Sequence, residues 1–407
     1  MLVFNAPYPG GGGAADRFVM RQALRTTTGT QDFVVPGATE TPLAVMFVYS
    51  RAADDNTADK PHICIGRATG PGQQSADATR LSGFQRAAYK TAETGAVILG
   101  MSDVSTPTVT TRASVTAMIP GGCTVNVSAT EGLASLVTMV AFMPSMFSAA
   151  AIGRSDSAVT TISPGLRANA MIGTLVGARA APSSQGVLYQ GLAGFDGTLI
   201  GQCTNTIYYG TPGNASDIQG WIRDGAFESG GGSGTQTGVI QSVGPTSLTR
   251  TYPSGSTGVD YSYLALEAIE QAKVWSGVLT TPAATGPQTM TAPGATFTPK
   301  IAILLPSNEN TINRYTNNGQ LGSSGMAIFD ATSQFSNIVW QQDGAPLNGV
   351  IRSGGLSRSG HLYITSDPGP TDGVVTVDGA FTGFVPGGLA FNMAIASARK
   401  VPALLIG

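Results

Sequence analysis

Short apolar segments bounded by glycine or proline recur along this chain and predict β-strands. Residues 389–396 alternate between large apolar side chains and small or polar ones, which is the pattern of a strand with one buried face. Segments 123–127 and 374–377 are rich in valine and follow a glycine, which also favours strands. The large apolar positions of the first segment are Leu389, Phe391, Met393 and Ile395.

One segment, residues 261–275, also fits a helix. Its leucines and alanines favour a helix, and Glu270 and Lys273 are spaced for an i, i+3 ion pair. Its counterpart at 389–396 alternates cleanly, however, and favours a strand for the first half. The predicted fold is therefore all-β, with tandem β-sandwich modules of the jelly-roll or immunoglobulin-like type and little helix.

The chain repeats itself. Residues 29–42 (GTQDFVVPGATETP) recur as residues 286–299 (GPQTMTAPGATFTP) with eight identities and no gap, and each copy runs into an apolar segment. A weaker copy is indicated where residues 175–181 follow the pattern of residues 47–53. We place boundaries near residues 165 and 285. This predicts an N-terminal arm and linker at 1–28 and sandwich modules at 29–165, 166–285 and 286–407.

Composition is consistent with a rigid β-protein of low charge. Charged residues make up only 11% of the chain, whereas glycine and proline number 54 and 24. The net charge of −2 and the scattered lysines argue against a nucleic-acid-binding face.

No membrane span or secretory signal is expected. Residues 132–153 carry no charge, but Pro144 lies in the middle, which favours two buried strands broken at the proline. The first residues lack a basic region and a cleavage-site pattern, so we expect a soluble protein made in a cytoplasm.

No arrangement in the sequence indicates catalysis, a cofactor or a metal site. The three cysteines are scattered, and the two histidines, His62 and His361, lack neighbouring ligands. A loose calcium-loop pattern at Asp54, Asn56 and Asp59 has an aspartate where glycine is required. The glycine runs at 10–13 and 230–234 are typical of arms or loop tips. We therefore predict a protein that is not an enzyme and has no cofactor.

Four aromatic residues near glycine-, asparagine- and aspartate-containing segments are candidates for glycan or receptor contact. Core packing is the default interpretation for each of them, and glycan or receptor contact is kept as a hypothesis because of their position near such segments. These residues are Tyr208, Tyr209, Trp221 and Trp340.

Residues 297–303 (FTPKIAI), after a glycine-bounded lead-in, and a closing strand such as 261–266 (YSYLAL) together resemble the repeat unit of accessory virion proteins of tailed bacteriophages. The resemblance covers the third unit, the first unit with Leu43 in place of Lys300, and the second unit through its closing strand. It implies tandem β-sandwich modules on the particle surface, in tail tips, fibres or capsid decorations, and it carries over no catalytic residue.

Both chain ends are apolar and uncharged, and we expect them to dock on neighbouring subunits. Exposed strand edges of stacked sandwiches further favour a homo-oligomer, with a trimer preferred, that contacts other virion proteins. The docking candidates are Leu2, Val3, Phe4, Leu404, Leu405 and Ile406.

The expected function is therefore that of a non-enzymatic structural protein of a virion surface. A tail-associated, host-contacting position that includes contact with a host surface glycan is slightly favoured. A capsid decoration protein or head fibre is the first alternative. A secreted glycan-binding β-sandwich protein is the second.

Overall fold

The computed structural model describes most of the chain, and every structural statement below concerns that part. The described residues are 17–52, 62–81, 88–102, 108–156, 159–175, 183–184, 187–209, 218–223, 225, 227–229, 236–251, 260–310, 312, 321–342, 352–368 and 373–407.

The regular secondary structure of the described residues consists of β-strands and one 3-10 turn at Gln271–Lys273. Module 1 contains β1 (Val19–Ala23), β2 (Gly29–Val34), β3 (Ala44–Tyr49), β4 (His62–Gly70), β5 (Gln73–Leu81), β6 (Ala88–Thr94), β7 (Ile98–Met101), β8 (Val109–Ile119), β9 (Gly122–Ala129) and β10 (Leu136–Phe142). Module 2 contains β11 (Phe147–Asp156), β12 (Thr161–Ile162), β13 (Ala170–Leu175), β14 (Ser183–Ser184), β15 (Val187–Phe195), β16 (Ile200–Tyr209), β17 (Ile218–Arg223), β18 (Phe227–Ser229), β19 (Gln236–Val243), β20 (Leu248–Thr251) and β21 (Asp260–Ala268). Module 3 contains β22 (Val274–Thr280), β23 (Gly286–Thr291), β24 (Ile301–Leu304), β25 (Leu321–Phe329), β26 (Gln334–Gln342), β27 (Arg352–Ser359), β28 (His361–Pro368), β29 (Gly373–Val385), β30 (Gly388–Ile395) and β31 (Lys400–Ile406).

The three modules share one topology. Six antiparallel sheets pair into three sandwich-like modules, which confirms the predicted all-β tandem fold. In each module the larger sheet has its strands in the order first, tenth, third, fourth, fifth and sixth, and the smaller sheet has the order second, ninth, eighth and seventh. The short strand β14 lies outside this scheme, because it pairs with β6 and extends the larger sheet of module 1.

The repeated sequence forms the second strand of its module and the turn that follows. β2 and β23 have the same alternation of buried and exposed residues. Each strand leads into a Pro–Gly turn in which Gly37 and Gly294 have φ of 82°. A glycine is favoured there because a side chain is strained in the left-handed region. A third Pro–Gly turn follows β12 in module 2, where Gly165 has φ of 81°.

The apolar core is divided between module interiors and a region that all modules share. Along β24, Ala302 and Leu304 face the interior of module 3, whereas Ile301 and Ile303 belong to a cluster drawn from all three modules. The larger sheets are therefore buried on both faces, which explains why their third and tenth strands have nearly continuous apolar sequences.

Three segments that the sequence analysis predicted as strands are strands in the structure. Residues 260–268 form β21 and the segment after it forms the 3-10 turn, so the strand assignment for the first half of 261–275 is confirmed. Pro144 lies between β10 and β11, as two strands broken at a proline require. β30 has the predicted alternation up to Met393, but Ile395 is 41% exposed.

Modules 1 and 3 begin one strand before the boundaries placed at residues 29 and 286, and module 2 begins two strands before the boundary at 166. β1, β11 and β22 are the first strands of the larger sheets, and they precede those boundaries. Segments 150–153 and 274–277 lie in the first strands β11 and β22. The difference arises because the strongest sequence repeat marks the second strand of modules 1 and 3, and the Pro–Gly pair at 164–165 follows the second strand of module 2.

The C-terminal segment is not a free arm, and this corrects the sequence-based description of it. Leu404, Leu405 and Ile406 lie in β31, between β22 and β24, and are at most 1% exposed. Leu405 packs in the interior of module 3, whereas Leu404 and Ile406 pack in the cluster shared by the modules. Their apolar character serves contacts within the chain.

Candidate functional surfaces

The three modules contact one another in a cycle. The fourth and fifth strands of module 1 pack on the first and tenth strands of module 2, and the fourth and fifth strands of module 2 pack on the first and tenth strands of module 3. The end of the fourth strand of module 3 then bonds the first strand of module 1. The fifth strand of module 3 also packs on the fourth and fifth strands of module 1, so each module contacts the other two and the chain forms a closed three-module ring.

A buried ion pair of module 1 forms hydrogen bonds to module 2. Arg67 Nη1 donates to Asp77 Oδ2 over 2.8 Å, and both side chains are almost fully buried. Asp77 also accepts hydrogen bonds from Thr174 and from Ser262 Oγ (3.0 Å), both in module 2. Burial lowers the pKa of Arg67, and the charge of Asp77 opposes that shift. The carboxylate of Asp77 therefore accepts hydrogen bonds from both modules at this interface.

Close backbone packing and neutral hydrogen bonds join modules 2 and 3. Gly194 and Gly201 face each other across β15 and β16. A Cβ on Gly201 would lie 1.9 Å from the carbonyl oxygen of Ser276 in β22, so the absence of a side chain lets the two modules touch. Nearby, Asn205 Nδ2 donates to Ser324 Oγ over 3.0 Å.

Asp330 closes the ring between modules 3 and 1. Its Oδ2 accepts the backbone N–H groups of Phe18 and Val19, each over 2.8 Å, and its Oδ1 accepts the N–H groups of Thr332 and Ser333. Burial raises the pKa of Asp330, and these N–H donors oppose the shift. Arg21 of β1 adds a hydrogen bond to Ser357 and lies 5.3 Å from the ring centroid of Phe335.

The sequence analysis did not identify these polar contacts. The available signal was a charged residue within an apolar strand, or directly after one, in a chain where charge is scarce.

The two ends of the ring differ in the length of their connections. At one end lie the turns after the second, fourth, sixth and eighth strands of each module, together with the links 143–146 and 269–273 between modules. We call this end the turn face. At the other end, which we call the loop face, lie the strand ends that border longer connections, for example between β3 and β4 and between β24 and β25. Each link joins the turn-face end of one module to that of the next, and the contacts of Gly201 with Ser276 and of Asp330 with Phe18 also join turn-face ends, so the modules are equally oriented.

A buried polar cluster lies in module 1 toward the loop face. His62 is fully buried, and its ring centroid lies 5.5 Å from that of Tyr49. Burial, and then the charges of Arg51 and Arg80, lower the pKa of His62 well below its usual value. Burial also raises the pKa of Tyr49 to about 12. The His62 ring and the Tyr49 hydroxyl are therefore neutral at physiological pH.

A cleft of about 410 Å³ lies where β6 of module 1 approaches β11 of module 2. It is lined by Ala92, Glu93, Thr94 and Arg154. Glu93 accepts a hydrogen bond from Arg112 over 2.7 Å, while Nε and Nη2 of Arg154 have no partner among the described residues. The cleft offers one cation and one anion that is already paired.

The four aromatic candidates occupy strands of two modules. Tyr208 and Tyr209 lie in β16, Trp221 in the neighbouring β17, and Trp340 in β26. Trp221 pairs with Thr206 and Tyr208 with Gln219, which brings three of the four into one pair of strands. Contact with a glycan or receptor stays a prediction for these residues.

Of the other candidates, Leu2, Val3 and Phe4 lie outside the described residues, as do Asp54, Asn56, Asp59 and both glycine runs. The three cysteines are free and buried, as expected of small apolar residues, and burial raises the pKa of Cys64 and Cys123 to about 12.

Within the described ranges, no group of three or more histidine, cysteine, aspartate or glutamate residues could hold a metal ion. No helix in the described part of the chain has the length and apolar character needed to span a membrane. A scan against protein-family models, a search of curated proteins and a search of solved structures each found no match to the chain.

Proposed function

We propose that this chain is a non-enzymatic structural subunit on the surface of a tailed-bacteriophage virion, in a tail-associated position that contacts the host. The observation that carries the proposal is the closed ring of three equally oriented sandwich modules, with short turns on one face and long connections on the other. Such a body is suited to dock through one face and present loops on the opposite one.

The chemistry of the described residues supports a structural role. Two buried carboxylates, Asp77 and Asp330, accept hydrogen bonds across module contacts, where they hold modules together. The resemblance of residues 297–303 and 261–266 to phage virion repeat units supports the same class of function.

Capsid decoration is the second candidate, and the ring of three modules with one topology favours it. Capsid surfaces contain threefold positions, and a three-module ring matches such a position with a single chain. Homo-oligomerisation also stays part of the proposal. The ring already covers within one chain the apolar faces that a homotrimer would cover, so further assembly would use outer surfaces. A native mass of one chain at micromolar concentration would contradict oligomerisation.

Gold labelling with an antibody to this chain tests the proposal on intact particles from a lysate of the phage that encodes it. Gold at the tail supports the tail-associated position, and gold over the whole head supports decoration instead. Particles without gold, in a preparation where the antibody detects the free chain, contradict a virion role.

A further inference from the structure

Arg154 lies where modules 1 and 2 meet and has no ion-pair partner among the described residues. It belongs to β11 and lines the cleft of about 410 Å³ together with residues 92–94 of β6. Two nitrogens of its guanidinium, Nε and Nη2, are buried and have no hydrogen-bond partner in the described part of the chain. Because unpaired donors of a charged group are costly to bury, hydrogen bonding within the protein does not account for an arginine at this place.

Two carboxylates near Arg154 are already engaged by other groups. Asp77 accepts hydrogen bonds from Arg67 and from two hydroxyls of module 2. Glu93, in the wall of the cleft, accepts a hydrogen bond from Arg112 over 2.7 Å. Burial lowers the pKa of Arg67, the charge of Asp77 opposes that shift, and the positive charge of Arg154 lowers this pKa further. Arg154 and Arg67 therefore repel each other, and neither of the two carboxylates pairs with Arg154.

A ligand that complements this cleft carries both a carboxylate and hydroxyl groups. The planar fork of a guanidinium matches the two oxygens of a carboxylate, and rotation of the Arg154 side chain, which no described hydrogen bond holds, brings this fork to the cleft. Glu93 adds an acceptor for hydroxyl donors, and the exposed Thr94 adds a hydroxyl that donates and accepts. Glu93 also repels a ligand that carries only negative charge. The volume lies within the range of about 300–1,000 Å³ that is typical of small-ligand pockets.

We propose that the cleft between β6 and β11 binds an acidic saccharide, namely a uronic acid unit of a host surface glycan. Arg154 pairs with the carboxylate of the sugar, and Glu93 and Thr94 form hydrogen bonds with its hydroxyls. This inference rests on the proposed host-contacting function, and it adds the chemical class of the ligand and a site separate from the four aromatic candidates. Module 1 supplies one wall and module 2 the other, so the site is complete only when the two modules are packed together.

Isothermal titration calorimetry of the full-length protein tests the ligand class with three probes. The linear tetramer of galacturonic acid should bind. Its fully methyl-esterified form has the same sugar hydroxyls without the charge and should bind at least about tenfold more weakly, because the hydrogen bonds to Arg154 are then no longer charge-assisted. Tetraglutamate represents an acidic segment of a partner protein, and it should also bind more weakly than the galacturonate tetramer, because it has no hydroxyls to offer Glu93.

Three variants test the role of Arg154. Arg154→Gln should weaken binding of the galacturonate tetramer by about ten- to hundredfold, the loss expected when hydrogen bonds to a charged group are removed. Arg154→Lys keeps the charge without the planar fork and should give a smaller loss. Arg17→Gln makes the same change in charge before β1, at the opposite edge of the larger sheet of module 1 from β6, and should bind like wild type. Without ligand, Arg154→Gln should melt at or above the wild-type temperature, because it removes a positive charge that Arg67 repels.

The outcomes distinguish this site from the proposed function. No binding of the galacturonate tetramer at millimolar concentration overturns the site, as does equal binding by wild type and Arg154→Gln or equal binding of the acid and its methyl ester. Tetraglutamate that binds as tightly as the galacturonate tetramer overturns the saccharide in favour of a protein partner. In each of these cases gold at the tail leaves the virion role standing. Binding that follows the expected pattern, with particles that carry no gold, supports the site and contradicts the virion role.

Discussion

At the scale of single residues, two buried carboxylates lie where modules meet. Asp77 and Asp330 are each buried and each accept hydrogen bonds from a neighbouring module, one from side chains and the other from backbone N–H groups. A buried carboxylate is costly unless its acceptor sites are filled, and the correct alignment of modules fills them. These residues therefore specify how the modules pack.

The Arg67–Asp77 pair gives a direct test of this role. Asp77→Asn keeps the shape of the side chain but leaves the buried guanidinium of Arg67 without its counter-charge, so we expect a loss of about 3–5 kcal/mol in the free energy of unfolding. Adding Arg67→Met should recover much of that loss, because the uncompensated charge is removed. Urea denaturation of wild type and of the single and double variants measures these free energies of unfolding. A double variant no more stable than Asp77→Asn would show that the charge is not the cause.

His62 makes the stability of the protein sensitive to acid. Burial lowers its pKa in the folded state, so the unfolded chain binds the proton more readily once the pH falls below about 6.5. The stability that this lowered pKa contributes to the folded state is fully present above about pH 6.5. It is lost at up to about 1.4 kcal/mol per pH unit as the pH falls toward the lowered pKa of His62. His62→Gln should remove this slope between pH 6.5 and 5 in denaturation series. An unchanged slope in the variant would mean that the ring titrates freely in the folded protein.

At the scale of elements, local patterns predicted the strands but not where each module begins. The Pro–Gly repeat identified β2 and β23 because a glycine with positive φ leaves a clear mark in the sequence. First strands such as β22 leave no such mark. The all-β assignment succeeded since period-two alternation and glycine punctuation are local properties, whereas the packing of β16 on β22 joins residues far apart in the chain.

Gly201 lies where β16 of module 2 packs against β22 of module 3. Gly201→Ala would place a methyl group 1.9 Å from the backbone oxygen of Ser276, and since backbone cannot rotate away, we expect a loss of about 1–3 kcal/mol or more in stability. Gly70→Ala is the matched control, because nothing lies within 4 Å of the added Cβ. Its stability should stay within about 0.5 kcal/mol of wild type. Equal effects at the two sites, measured by thermal denaturation, would contradict the close contact between β16 and β22.

At the scale of the whole molecule, ring closure converts three modules into one cooperative body. The cluster shared by the modules includes fully buried residues from each larger sheet, such as Val48, Leu264 and Ile303. The sequence showed that these strands are apolar on both faces, but it could not show that the second face packs against other modules, because a continuous apolar strand is equally compatible with several kinds of neighbour.

Cooperativity is therefore the property that the ring should confer. We expect full-length protein to unfold in a single calorimetric transition, with equal calorimetric and van't Hoff enthalpies. Module 2 expressed alone, as residues 146–273, should not fold stably, since Ile172, Leu264 and Leu266 are fully buried in the chain and would be exposed at about 1.5–3 kcal/mol each. Three separate transitions, or an isolated module with dispersed amide resonances, would show that the modules are independent domains. In that case the arrangement of the three modules would be set by the linkers and not by the shared core.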